Sequence, residues 1–215
     1  MSSSARRTAA CGETAGAILA GGRSRRMGRA KAFIELGGRP LIMRVIEVLR
    51  ELFPEVFIVS TDAAPFAGLG LPVIPDLYAH GGPLAGAHAA LSATERSQVL
   101  VVGCDMPFLS PAMLAHLAGR AEGRGAAVPR GPDGLHPLHA VYSKHALDPI
   151  GAALSGGVLK FSDALSSLDV AEIGEDELRR FDPDLRSLFN VNRPEDLARA
   201  EMMIAADRTP ASPAG

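Results

Sequence analysis

The chain has 215 residues, 47% hydrophobic and 21% charged, proportions that suit one packed domain and exclude a disordered or fibrous chain. Its formal net charge of −2 gives no global pull toward nucleic acid, and no apolar stretch approaches the roughly 20 residues of a membrane-spanning helix. Two cysteines, Cys11 in a polar leader and Cys104 in an apolar run, do not make a disulfide framework and point to a reducing cytoplasm.

Residues 1–13 hold Arg6 and Arg7 but no secretory apolar core, and are read as a disordered leader. A single domain is expected over 14–206, followed by a disordered tail over 207–215. Within the domain, Ala17-Ile18-Leu19-Ala20 is an apolar run without alternation, the pattern of a strand buried on both faces. Gly21-Gly22 then turns the chain sharply and leaves no Cβ to hold a ligand away. Arg23, Arg25, Arg26, Arg29 and Lys31 follow, so backbone N–H groups and cations meet where phosphate oxygens would sit. The P-loop pattern fails because Gly28 is followed by Arg29-Ala30, and the dinucleotide fingerprint fails because the two glycines are adjacent. The alternative is a solvated basic turn; the strand and glycine pair favour the phosphate reading.

Beyond the turn Gly37-Gly38, apolar residues at Leu41, Ile42, Val45, Ile46 and Leu49 repeat with a helical period, and Pro54 ends the helix. Val56 to Val59 is a second buried strand, with Ser60-Thr61-Asp62 just past its end. Pro72 to Asp76 is a short third strand whose prolines suit a sheet edge. Strand, helix, strand at this spacing is a βαβ unit, hence a parallel sheet, and ligands in such sheets bind beyond the carboxyl ends of the strands. Gly21-Gly22, Ser60 to Asp62 and Asp76 all fall at such ends.

His80 to Gly86 reads as a flexible loop entering a helix through about Leu91, either a plain connection or a lid over a nucleotide. Val99 to Cys104 is the clearest strand, and Asp105-Met106-Pro107-Phe108 follows at once. A carboxylate at that strand end is placed to hold Mg²⁺, which takes few protein ligands and leaves the rest to substrate phosphates. The competing role, a helix cap, belongs to Ser110 ahead of the helix from Ala112. Ala126 to Pro129 and His136 to Ser143 are further strands. His136 and His139 lie three apart, on opposite strand faces, and no Cys or carboxylate completes a zinc set. Helical patterning returns at 144–153 and 159–168; Phe189 to Asn192 is a strand end, where Asn192 can cap a helix that runs to Ile204 with Pro194 in its first turn.

These residues resemble the molybdenum cofactor guanylyltransferase family, within the larger group of sugar-phosphate-type nucleotidyltransferases. The likeness rests on Leu19-Ala20-Gly21-Gly22, Ser24-Arg25-Arg26-Met27-Gly28 and Lys31, then Pro75-Asp76, Gly82-Pro83-Leu84-Ala85-Gly86 and Cys104-Asp105-Met106-Pro107-Phe108, and finally His136-Pro137-Leu138 and Phe189 to Asp196. It runs in order from about Ala15 to Ile204. Two positions depart from the family pattern: Ala30 stands where aspartate is usual, and Ser60 where asparagine is frequent.

The resemblance implies a Rossmann-like three-layer α/β sandwich with a mostly parallel sheet and helices on both faces. It implies transfer of GMP from GTP to the phosphate of molybdopterin, giving a guanine dinucleotide and pyrophosphate, with Mg²⁺. On that reading Leu19, Ala20, Gly21 and Gly22 cradle the nucleotide, and Lys31 and Arg26 face its phosphates as catalytic groups. Asp105 holds the metal, and Ser60 and Asp76 complete the nucleotide site. His136, Asn190 and Asn192 lie on the pterin side. Other molybdenum cofactor biosynthesis proteins or apo-molybdoenzymes are expected as transient partners, with no nucleic acid and no membrane. Two alternatives stand open: a relative using CTP or another phosphorylated acceptor, and a GTP-binding delivery module without turnover.

Overall fold

Short apolar runs separated by glycine- and proline-containing turns leave the chain one economical solution, a sheet with helices on both faces. The structure, a computed structural model, describes residues 10–21, 31–76, 78 and 81–208. Arg23, Arg25, Arg26 and Arg29, with Gly22 and Ala30, lie outside the described residues, as do most of the leader and the tail.

The chain opens with β1 (Thr14–Leu19), a two-strand hairpin of β2 (Glu35–Leu36) and β3 (Arg39–Pro40), and the helix Leu41–Leu52. β4 (Glu55–Val59) and β5 (Val73–Ile74) follow, then the helix Gly82–Ser92, β6 (Gln98–Gly103) and the helix Pro111–Ala121. β7 (Ala126–Gly131), β8 (Gly134–Leu135), β9 (His139–Ser143) and β10 (Val170–Ile173) complete the sheet, and Pro194–Arg208 is the last helix. Across the sheet the order is β10-β7-β9-β6-β1-β4-β5, with β8 paired to β7. β9 runs antiparallel to both its neighbours, and the other strands on this path are parallel.

Period-two alternation divides the strand side chains between two cores. Ile18, Ile58, Leu100 and Val102 face the helices Leu41–Leu52 and Pro111–Ala121. Ala15, Ala17, Phe57, Val99 and Val101 face Gly82–Ser92 and Leu147–Ser155. The five apolar positions that gave Leu41–Leu52 its period are all buried, Ile42, Val45, Ile46 and Leu49 on the first of these faces. A third, smaller cluster (Ile34, Leu36, Leu41, Val191 and Ala200) docks the last helix onto the β2–β3 hairpin. The α/β architecture with a mostly parallel sheet and helices on both faces, expected from the sequence, is the observed one.

Several boundaries differ. Ala10 and Cys11, assigned to the leader, are buried in a helical turn at 10–12, where the Ala10 carbonyl accepts the Thr14 hydroxyl at 2.7 Å. Asp207, assigned to the tail, still belongs to the last helix and meets Arg186 through two hydrogen bonds of 2.8 Å. Pro83 to Gly86 is the first turn of a helix rather than a loop, and Leu84, Ala85 and Gly86 are buried, so these residues form no lid. Proline at the start of a helix loses no intrahelical bond, which is why Gly-Gly-Pro begins a helix here. Leu77, Ala79 and His80 lie outside the described residues. Phe189 to Asn192 is not a strand; a Val191 N–H bond to the Asp105 carbonyl, 2.9 Å, holds this segment without a ladder. β10 was not expected from the sequence: it is four residues long, at the sheet edge, and without strong apolar alternation.

Candidate active site

Strand order locates the crevice. From β1 the chain moves outward through β4 and β5, then returns to lay β6 on the opposite side of β1. The gap between the carboxyl ends of β1 and β6 is therefore the topological switch point, where open α/β sheets bind ligands. Leu19 pairs with both Val59 and Gly103, and Val59 with Ile74, so the residues just after these strands form one row along the rim. Ala20-Gly21, Ser60, Asp76 and Asp105 share that row or the next. The Cys104 N–H donates to the Leu19 carbonyl at 3.1 Å, which puts Asp105 beside the first glycine turn, as the magnesium reading requires.

Two glycines shape this row. Gly86 lies so close behind β1 that a Cβ there would stand 3.1 Å from the Leu19 Cδ1, which lets the helix Gly82–Ser92 seat against the strand end. At Gly103 a Cβ would fall 2.3 Å from the Asp105 Oδ1, so only glycine leaves the carboxylate where it is.

At the centre of the rim Lys31 forms an ion pair with the Asp105 Oδ2, and its Nζ also donates to the Asn192 Oδ1 at 2.6 Å. Both side chains of the ion pair are mostly covered, with 17% and 16% exposure. The sequence offers Asn192 both as a helix cap and as an acceptor-side residue. In the structure its amide does not cap: Asp196, in the first turn of the last helix, reaches back with its Oδ2 to accept the N–H groups of Asn192 and Arg193, both at 2.9 Å. The Asn192 side chain points to Lys31 instead. An asparagine followed by Arg-Pro-Glu-Asp carries the signal, because an aspartate three residues beyond Arg193 can reach back to the N–H groups ahead of the helix.

The flanks of the rim differ in kind. On the β4–β5 side Ser60 is buried, and its hydroxyl lies 3.2 Å from the Asp62 N–H and 3.0 Å from the Asp62 carbonyl. The Asp76 Oδ1 accepts the Tyr78 N–H at 3.0 Å, and the Tyr78 ring stands edge-on to His88 at 5.1 Å. Burial holds the His88 imidazole below its ordinary range, and the Asp76 and Asp148 carboxylates pull it partly back. On the β6–β9 side His136 is one-tenth exposed, and its Nε2 meets the Asp133 Oδ1 at 2.7 Å. The Gly103 N–H donates to the Leu138 carbonyl at 3.2 Å, so the His136 to Leu138 turn borders the same edge as Asp105. The Asn190 Nδ2 donates to the Leu188 carbonyl at 3.1 Å. A tilted aromatic pair not anticipated from sequence braces this side: the rings of Phe108 and Phe189 lie 6.1 Å apart at 56°, with Arg186 4.9 Å over the first and Arg199 5.3 Å over the second.

Burial is the largest cause pushing the Cys104 thiol up to about 12, with the Asp105 charge adding and Lys31 opposing, so it is a protonated core group and no nucleophile. His139 is wholly buried with neither ring nitrogen in a hydrogen bond. Desolvation first, then the nearby His136, drives it down to about 3, against a weak opposite pull from the Ser187 backbone. It is a neutral core imidazole, and no group of three metal-ligating side chains converges among the described residues. A divalent cation at this rim would thus rest on Asp105 and on substrate oxygens, which fits Mg²⁺ better than a dedicated protein cage fits any metal.

Residues 16–168 match the family model described as a MobA-like NTP transferase domain. The chain belongs to that family. A MobA-like NTP transferase is an enzyme, a nucleotidyltransferase, and its similarity to relatives extends past the matched domain into the segment bearing Asn192. A probable molybdenum cofactor guanylyltransferase of Pelotomaculum thermopropionicum is 43% identical over 197 residues, covering 92% of this chain and 96% of the relative. The molybdenum cofactor guanylyltransferase of Desulfosudis oleivorans is 36% identical, covering 90% and 96%. Among solved structures, molybdopterin-guanine dinucleotide biosynthesis protein A of Archaeoglobus fulgidus superposes with a TM-score of 0.77 at 33% identity, covering 89% of this chain and 99% of that one. The 2-C-methyl-D-erythritol 4-phosphate cytidylyltransferase of Thermus thermophilus, at 20% identity and a TM-score of 0.65, shares the fold.

Proposed function

We propose that this MobA-like NTP transferase carries out the magnesium-dependent transfer of GMP from GTP to the phosphate of molybdopterin, releasing pyrophosphate, in the cytoplasm. Relatives of nearly equal length carry the guanylyltransferase name. The observation that carries the reading is the meeting of Lys31, Asp105 and Asn192 at the sheet's switch point. Both cysteines are free, in keeping with a reducing compartment, and no helix among the described residues is long and apolar enough to cross a membrane.

In the reaction an oxygen of the acceptor phosphate bonds to the α-phosphorus while the bond from that phosphorus to the oxygen bridging to the β-phosphate breaks. Pyrophosphate departs with the electron pair and the added negative charge. The protein's task is to bring two anions together in line and to offset their charge. Magnesium held by Asp105 and the triphosphate would supply charge neutralisation at the departing oxygens. Backbone groups from Leu19 to Gly22 cradle the nucleotide, Lys31 and Arg26 meet its phosphates, and Ser60 and Asp76 line the nucleoside end. His136, Asn190 and Asn192 face the acceptor. Other cofactor-biosynthesis proteins or apo-molybdoenzymes would receive the product.

The test is pyrophosphate release by the purified protein with Mg²⁺ and molybdopterin, supplied in turn with GTP, CTP, ATP and UTP. Release with GTP above the others is expected. Preference for CTP would overturn the guanylyl assignment, and GTP binding without release under any condition would make the protein a binding module.

A further inference from the structure

The crevice carries its own cation. Lys31 opens a short 3-10 turn in which Ala32 is buried, and the Lys31 carbonyl accepts the Ile34 N–H at 3.2 Å, so the Lys31 backbone is anchored. Its ammonium is gripped from two sides, by the Asp105 carboxylate and by the Asn192 amide oxygen. Those two holders are fixed to each other by the Val191 N–H bond to the Asp105 carbonyl, 2.9 Å. Asp105 is the carboxylate assigned above to the metal. An ammonium already on its Oδ2 repels a divalent cation at the same few ångströms, and in a half-covered crevice that repulsion is screened far less than in bulk water.

We propose that Lys31 is the resident counter-cation of the nucleotide-free enzyme, occupying Asp105 so that a divalent cation alone is refused and enters with the triphosphate. The triphosphate offers the ammonium a richer set of anionic oxygens, draws it away from Asp105 and brings the metal in exchange. Asn192 is a positioning residue in this scheme: a neutral acceptor that keeps the ammonium on the carboxylate while the site is empty. The proposal rests on the assignment of Asp105 to the metal, and it gives one substitution two effects of opposite sign, weaker nucleotide binding but tighter binding of metal alone.

Mn²⁺, followed by electron paramagnetic resonance on the full-length protein, tests this without turnover. Wild type should bind Mn²⁺ weakly alone and tightly with GTP. Lys31→Met should bind Mn²⁺ alone about tenfold more tightly or better, because the competing charge is gone. Lys31→Gln provides a second neutral replacement, Lys31→Arg should stay as weak as wild type, and adding Asp105→Ala to Lys31→Met should erase the gain. Asn192→Ala should shift affinity in the same direction by a smaller factor. Unchanged or weaker Mn²⁺ binding in both neutral variants overturns the proposal, and a fall in Asn192→Ala overturns the positioning role. Failure of the metal assignment reads differently: the GTP-dependent Mn²⁺ binding of wild type would then be the same in Asp105→Ala.

Discussion

The centre of the rim and its β4–β5 flank are wired in different ways. On the β4–β5 flank the polar groups are mostly spent within their own turns: Ser60 on Asp62, Asp62 on Ala64 and Asp76 on Tyr78, each two residues apart, with one longer contact of 3.5 Å from the Ser60 hydroxyl to the Ala20 carbonyl. At the centre the partners come from distant chain, and the β6–β9 flank mixes such contacts with local ones, His136 on Asp133 and Asn190 on Leu188. Lys31 reaches Asp105 across 74 positions and Asn192 across 161, and Ser110 meets Ser187 across 77. The first arrangement is a set of preformed turns. The second assembles only when the sheet, the β2–β3 hairpin and the last helix have come together, so it is the half that depends on the whole fold.

Substitutions that break this contrast should rank accordingly. The largest effect is expected at Asp105: Asp105→Ala should cut pyrophosphate release by about two to three orders of magnitude with the circular dichroism spectrum unchanged. Near-normal release would remove the metal role and with it the importance of the long-range half. Gly103→Ala comes next. Its Cβ would displace the Asp105 Oδ1 that stands 2.3 Å away, so release should fall about tenfold or more while unfolding shifts by about 1 kcal/mol. Full activity would mean the carboxylate tolerates another position.

His139 tests the β6–β9 flank through pH. Its folded-state value, about 3, lies below the ordinary 6.5, so the unfolded chain binds the proton first as pH falls. Its contribution to stability is therefore complete above about pH 6.5 and is lost progressively toward pH 3. Urea unfolding at pH 7.5 and 4.5 should show wild type losing about 2 to 3 kcal/mol more than His139→Leu over that interval. Equal losses would mean the imidazole is solvated when the chain is folded. The smallest effect belongs to the β4–β5 flank: Ser60→Ala should change the KM for GTP by no more than about threefold, since the hydroxyl is taken up by Asp62 and the Ala20 carbonyl. A loss comparable to that of Gly103→Ala would erase the distinction between the centre and this flank.

The same contrast explains which features could be read from the chain. Ala17 to Ala20, Val56 to Val59 and Val99 to Cys104 announce buried strands by composition, and Leu41 to Leu49 announces a helix by period, because burial on one or two faces writes itself into neighbouring residues. The placement of Gly21, Ser60, Asp76 and Asp105 at strand ends followed from that pattern alone. The edge strand β10 did not, since a four-residue edge has little burial to record. Nor did the Phe108–Phe189 pair with its two arginines, whose members come from three separate segments.

Asn192 marks the division most sharply. Read locally, an asparagine before a helix is a cap; in the fold Asp196 reaches back to the N–H groups ahead of that helix and the Asn192 amide turns to Lys31. The amino-acid sequence by itself determined the mostly parallel α/β architecture, the row of functional candidates along its carboxyl edge and the likeness to a nucleotidyltransferase family. Tertiary structure decided which of those candidates touch. Strand and helix signals repeat every two to four residues and survive in any short window, whereas a lysine, a carboxylate and an amide from three remote segments meet only because strand order brings their ends to one gap.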